Sequence, residues 1–176
     1  MFLITTSHRP SPRVRSFVKE LSQVLPWSVK VNRGKKTIEE LALEAYYAGL
    51  KYLLIVESRL GNPGRIILGE VDVAWEKAKI RVIARLLIKS VKLGRENPEA
   101  IRIYSPSTVS VEYSGCLTEE CFWLADFFMS VYKDKLRDTG DVTIILEDRG
   151  YLYLRFMAAN GRKTGPEIRI LKVMKE

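Results

Sequence analysis

A chain of 176 residues, 47% hydrophobic and 28% charged, can fill one well-cored domain or two small halves sharing a core. No stretch is apolar-poor enough to read as disordered. Its longest apolar runs, such as 52–56, fall far short of the roughly 20 residues of a membrane-spanning helix, and no charged-then-apolar leader opens it, so a soluble, cytoplasmic protein is expected. The net charge of +8 is concentrated: residues 1–36 carry Arg9, Arg13, Arg15, Lys19, Lys30, Arg33, Lys35 and Lys36 against the single acid Glu20, the footprint of a surface that meets a polyanion.

Residues 2–6 form a short β-rich run that ends in the polar loop Ser7-His8-Arg9-Pro10. Ser11 is placed as an N-cap and Pro12 at the first helical position, where its missing N–H costs nothing. Val14, Phe17, Val18, Leu21 and Leu25 then recur with helical period, and Pro26 ends the helix. Arg13, Arg15, Ser16 and Lys19 fall off that stripe and are expected to face solvent or a ligand. Residues 27–31 read as a second strand and 32–36 as a tight basic loop. Thr37 and Glu40 form a capping box for a helix that runs to about Ala48 and stops at Gly49. Residues 52–56 are continuously apolar, as in a strand covered on both faces. The turn Gly61-Asn62-Pro63-Gly64 leads into a strand at 65–68. Strands alternating with helices in this way predict an α/β fold with helices packed on a sheet.

Residues 75–93 fit two descriptions. Arg81, Arg85, Lys89 and Lys92 could line the polar side of a helix, whereas Ile80, Val82, Ile83, Ile88 and Val91 are β-branched and favour a strand. Residues 101–104 and 109–113 alternate as strands about Ser105-Pro106-Ser107. Thr118-Glu119-Glu120 opens an aromatic-rich helix, followed by strands at 142–146, 151–156 and 168–173. Glu57 and Arg59 recur as Glu147 and Arg149, each between a strand and a glycine turn. That repeated order predicts an internal duplication, with halves at 1–74 and 75–176.

Catalytic chemistry finds little support. His8, the only histidine, has no acid near it in sequence and is expected to touch phosphate or solvent. Cys116 and Cys121 lack zinc-site spacing and any second pair, so they read as buried free thiols. No phosphate-cradling glycine loop is present. Glu57, Glu70 and Asp72 sit near strand ends as salt-bridge partners or solvated edges. No catalytic residue, metal, cofactor or small-molecule substrate is therefore expected. The single Gln23 amid many Lys, Arg and Glu residues fits a thermophile.

The basic segment supports a stronger argument. Ser7, Arg9 and Arg13 surround a helix N-terminus, whose free N–H groups and dipole favour an anion. The candidate nucleic-acid contacts are Ser7, Arg9, Arg13, Arg15, Ser16 and Lys19, with Asn32, Arg33, Lys35 and Lys36 in the second loop. The alternative is a scaffold recognising acidic partner proteins, docking through the aromatic helix face of Trp123, Phe127 and Phe128. Burial of all three rings would remove that patch.

The same residues carry a family resemblance. I-T-T-S-x-R-P-S-x-R-x-R-S-F-x-K-E-L (4–21), V-N-R-G-K (31–35) and L-I-V-E-x-R-x-G (54–61) resemble the Brix-domain family of ribosome-biogenesis factors, in its short archaeal form. The likeness is strongest over 3–69 and weaker, through V-K-L-G-R-E (91–96), in the second half. It implies a single Brix domain over 1–176, built of two related halves. Each half would be a mixed sheet with packed helices, similar to the anticodon-binding domain of class II aminoacyl-tRNA synthetases. It also implies a non-catalytic factor that binds ribosomal RNA or its precursor, assists processing and subunit assembly, and meets other assembly proteins. For residues 86–93 it implies a strand.

Overall fold

Local signals set the helices. A computed structural model describes residues 1–176. Helix α1 (Pro12–Val24) begins where the Ser11 hydroxyl accepts a hydrogen bond from the Val14 N–H at 3.2 Å. It buries Val14, Phe17, Val18, Leu21 and Val24. Helix α2 (Ile38–Tyr47) opens on the expected capping box: Thr37 accepts from the Glu40 N–H at 3.1 Å, and the Glu40 carboxylate accepts from the Thr37 N–H at 2.7 Å. Helix α3 (Glu119–Val131) is capped by Thr118. One oxygen of the Asp148 carboxylate, Oδ2, accepts there from both the Leu117 and Thr118 N–H groups, at 2.7 and 2.9 Å.

The strands are β1 (Phe2–Thr6), β2 (Val29–Lys30), β3 (Tyr52–Arg59), β4 (Asn62–Ala74), β5 (Lys77–Lys92), β6 (Val109–Gly115), β7 (Val142–Arg149), β8 (Tyr151–Ala158) and β9 (Lys163–Lys175). They form one mixed sheet in the order β2-β1-β3-β4-β5-β9-β8-β7-β6. Inside the short edge strand β2, which runs parallel to β1, β1-β3-β4-β5 run inwards, and from the other edge β6-β7-β8-β9 do so, meeting at the antiparallel β5–β9 ladder. In each run the first pair is parallel and the rest antiparallel.

Helices α1 and α3 lie on one face, over a continuous core that draws side chains from every strand except β2. Helix α2 lies on the other, where Leu41 and Ala45 meet Leu3, Leu53 and Ile55. It packs over β1, β3, β4 and β5.

Several sequence expectations are corrected. Residues 77–92 are strand, because two long partners, β4 and β9, pair with them; the β-branched pattern prevails over the four-residue spacing of the bases. The strand expected at 27–31 shrinks to Val29–Lys30, since Trp27 turns the chain with φ 58°. The one expected at 65–68 extends to Asn62–Ala74. Residues 101–104 form no strand and touch the sheet through a single bridge, Ile101 to Thr164, because β5 and β8 flank most of β9. Cys116 and Cys121 are joined in a disulfide, their Cα atoms 5.4 Å apart. The end of β6 and the first turn of α3 hold them together, a proximity that sequence spacing does not reveal. Closing so short a loop restricts the unfolded chain by roughly 2 kcal/mol.

Candidate nucleic-acid interface

The parallel strands β1, β2 and β3 end on one edge of the sheet, and the loops that follow them interlock there. The Ser7 N–H donates to the Val56 carbonyl at 2.9 Å. The Ser11 hydroxyl donates to the Gly61 carbonyl at 2.7 Å, tying in the β3–β4 turn. His8 Nδ1 lies 3.0 Å from the Gly34 carbonyl, and Nε2 lies 3.1 Å from Arg33 Nη2. An imidazole with its proton on Nδ1 satisfies both, donating to Gly34 and accepting from Arg33. His8 is exposed to solvent, as the sequence led one to expect, and it braces the loop as well.

Arg33 anchors the cluster. Its side chain donates to the Lys36 carbonyl at 2.8 Å and the Thr6 carbonyl at 3.3 Å. The residue is only 8% exposed, and burial lowers its pKa from the ordinary arginine value. The sequence placed this guanidinium on RNA; the fold spends it on three internal acceptors. A planar fork with five donors suits that task, and a lysine would not. Around it Arg9, Asn32 and Lys35 are exposed, Ser7 is half-buried, and Lys36 pairs with Glu44 of α2 at 2.9 Å.

Arg13 is corrected as well. It points off the apolar stripe, as expected, but its guanidinium grips the Glu96 carboxylate and donates to the Val91 carbonyl at 2.8 Å. The Arg13 hydrogen bonds hold the Glu96 carboxyl below its usual range. Arg13→Ala is expected to cost about 1 kcal/mol at neutral pH, a figure that discounts the partial exposure of both partners. Glu96 has its folded pKa depressed, so its share of that stability is present above the ordinary value of 4.5. It fades as pH falls through the depressed value. Denaturant titrations at neutral and acidic pH check this: the gap between wild type and variant should narrow in acid.

The unpaired cations lie along α1 and across a groove beside it. Arg15 and Lys19 are exposed, one turn apart, and neither has a salt-bridge partner. Ser16, Lys19 and Gln23 form one wall of a groove of about 220 Å³, and Arg95 and Arg102 stand on the facing 94–103 segment. Glu20 accepts from the Gly94 N–H at 2.7 Å and locks that segment to the helix. Arg95 and Arg102 are exposed and likewise without salt bridges. Sequence reasoning missed both, because they lie far along the chain among nearly balanced charges; only the V-K-L-G-R-E run pointed at Arg95.

The remaining candidates resolve simply. Glu57 pairs with Arg65, Glu70 with Arg81 and Lys51, and Asp72 with Lys79. No three metal-ligating side chains cluster anywhere. Phe128 is buried, while Trp123 and Phe127 are half-buried, stacked at 5.8 Å and packed on the core. Only one of the three rings is fully buried, so the docking patch expected on α3 is narrowed and not removed: Phe122 is 44% exposed beside the half-buried Trp123 and Phe127.

Fold and surface together define a class: a single-sheet α/β protein with three helices, carrying a strip of unpaired cations beside α1. Comparison with known proteins narrows the class. The chain is 42% identical over 179 residues to a protein of Aeropyrum pernix named probable Brix domain-containing ribosomal biogenesis protein; the match covers 96% of this chain and 94% of that one. The chain belongs to this family of archaeal Brix domain-containing ribosomal biogenesis proteins. A Pyrococcus horikoshii protein of the same name is 56% identical over 97 residues, 54% of this chain and 41% of its own length. The chain therefore spans less than half of that longer relative, and likewise 44% of one from Thermococcus kodakarensis. No family model matches. Among solved structures, a probable ribosomal biogenesis protein from Aeropyrum pernix superposes with a TM-score of 0.82 at 28% identity, over 99% of this chain and 98% of the other. Mil, an archaeal Imp4-like protein, shares the fold with a TM-score of 0.66 at 24% identity, over 99% of each chain.

Proposed function

We propose that this protein is a non-catalytic ribosome-biogenesis factor of the cytoplasm. It binds ribosomal RNA or its precursor along α1 and the adjoining groove, and so assists RNA processing and subunit assembly alongside other assembly proteins. One observation carries the reading: Lys19, Arg95 and Arg102, all exposed and all unpaired, converge from distant parts of the chain on one groove, and Arg15, equally exposed and unpaired, precedes Lys19 by one turn of α1. Unpaired guanidinium and ammonium groups in a row are suited to phosphate oxygens, which fix register without reading sequence. Arg9 and Lys35 on the adjoining loops extend the strip, Ser7, Ser16 and Asn32 offer polar contacts, and Arg33 holds the loops in shape. Positioning and shielding an RNA segment needs no bond chemistry.

The two runs of strands that meet at β5–β9 support a duplicated origin, as do the pairs Glu57–Arg65 and Glu147–Arg155 at corresponding places. On this reading each half resembles the anticodon-binding domain of class II aminoacyl-tRNA synthetases.

Ultraviolet crosslinking in cell extract, followed by sequencing of the attached RNA and mapping of the attached peptides, tests the reading. Ribosomal RNA precursor fragments joined to peptides containing Lys19, Arg95 or Arg102 are expected. Recovery of protein partners without ribosomal RNA would overturn it.

A further inference from the structure

The sheet has a second surface that no helix covers. Because α2 packs over the β1, β3, β4 and β5 half of the sheet and α1 and α3 lie on the opposite face, the α2 side of β7, β8 and β9 is left open. Along β8 the side chains alternate: Leu152, Leu154 and Phe156 enter the main core, and Tyr151, Tyr153 and Arg155 stand on the open side, half-buried. Register brings cations to both rings. Tyr153 lies opposite Arg169 of β9, whose guanidinium carbon is 5.3 Å from the ring centroid. The Lys89 ammonium of β5 is 6.0 Å from the Tyr151 centroid. Neither cation has a salt-bridge partner. Glu147, the acid beside them, is already held by Arg155 at 3.2 Å and by Arg149 at 3.7 Å.

From this we infer that the open face of β7–β9 is a stacking platform for a single-stranded stretch of RNA, with Tyr151 and Tyr153 under successive bases and the flexible Lys89 and Arg169 side chains, which lie over the rings in the free protein, swinging onto the phosphates between them. The chemistry selects this occupant. Two rings at positions i and i+2 of a strand lie roughly 6.6 Å apart, a step that an extended strand of RNA makes from one base to the next. Unpaired cations beside the rings call for an anion alternating with a flat π-surface, which nucleotides provide and acidic peptides do not. Duplex RNA hides its bases and leaves the rings idle. The inference rests on the reading that the chain binds RNA, and it adds a second surface on the face of the sheet opposite α1.

The test uses the full chain and two fluorescein-labelled probes in anisotropy titrations: a single-stranded oligouridine and a duplex RNA of similar length. Tyr151→Ala with Tyr153→Ala should weaken oligouridine binding by at least roughly fivefold per ring and leave the duplex affinity unchanged. Tyr151→Phe with Tyr153→Phe should bind as wild type, which separates stacking from loss of fold. Lys89→Ala with Arg169→Ala should weaken oligouridine binding and flatten its salt dependence. Wild-type affinity in the double alanine variant overturns the platform alone, as does competition for it by a polyglutamate peptide. Failure of the wild-type chain to bind either probe overturns the platform and the RNA reading together.

Discussion

Arg15→Glu combined with Lys19→Glu is expected to cut affinity for a structured ribosomal RNA fragment by roughly 50-fold at 0.1 M salt, since each phosphate deprived of its cation forfeits nearly a factor of ten there. Both side chains are exposed on the outer face of α1 and make no salt bridge. Stability should therefore stay within about 0.5 kcal/mol of wild type. Glutamate at position 15 is tolerated by the dipole at the start of α1, and position 19 lies mid-helix, where the dipole has little effect. Arg13 is the wrong residue for this experiment. Arg13→Glu would set a carboxylate against Glu96 and strip the Val91 carbonyl of its donor, mixing impaired folding with impaired binding. Anisotropy titration with circular dichroism of the same samples checks both halves of the expectation. Unchanged affinity would remove α1 from the interface.

Arg33→Ala should have the opposite signature, a large loss of stability from a residue that contributes little free charge to the surface. The substitution deserts the Thr6 and Lys36 carbonyls and the His8 ring at once. With an unsatisfied buried acceptor costing about 1–3 kcal/mol and water relieving part of it, the net loss is about 3 kcal/mol. For a chain of this size that lowers Tm by roughly 6–12 °C. Arg33→Lys should not rescue it, because one ammonium cannot reach three acceptors in a plane. Lys35→Ala, two residues away and exposed, should be nearly neutral. Thermal denaturation of the three variants tests the assignment, and equal melting of the Arg33 and Lys35 alanine variants would contradict it.

What the sequence revealed was what neighbours along the chain decide. The α1 stripe, the Ser11 and Thr118 caps and the Thr37–Glu40 box depend on residues three or four apart, and each stands where expected. Partners far apart in sequence decided the rest. Residues 77–92 fitted helix or strand by their own pattern, with a strand implied by the resemblance for 86–93 alone, until β4 and β9 were known to flank them. Arg13 seemed free because Glu96 lies 83 positions away. Arg33 counted as one more base in a basic loop until Thr6 and His8 closed over it. The excess of positive charge was visible near the N-terminus, but charge counting could not separate bases that brace the fold from bases that face outward. It also could not supply Arg95 and Arg102, which the groove brings to Lys19.

The salt dependence of binding tests the central claim most directly. With Arg15, Lys19, Arg95 and Arg102 each on a phosphate, log affinity for a structured ribosomal RNA fragment should fall against log salt with a slope of at least about −3.6, steeper where Arg9 and Lys35 also engage. The slope should flatten by about 1.8 when Arg15 and Lys19 are reversed. A wild-type slope near zero, or one that the double substitution leaves unchanged, would contradict the account.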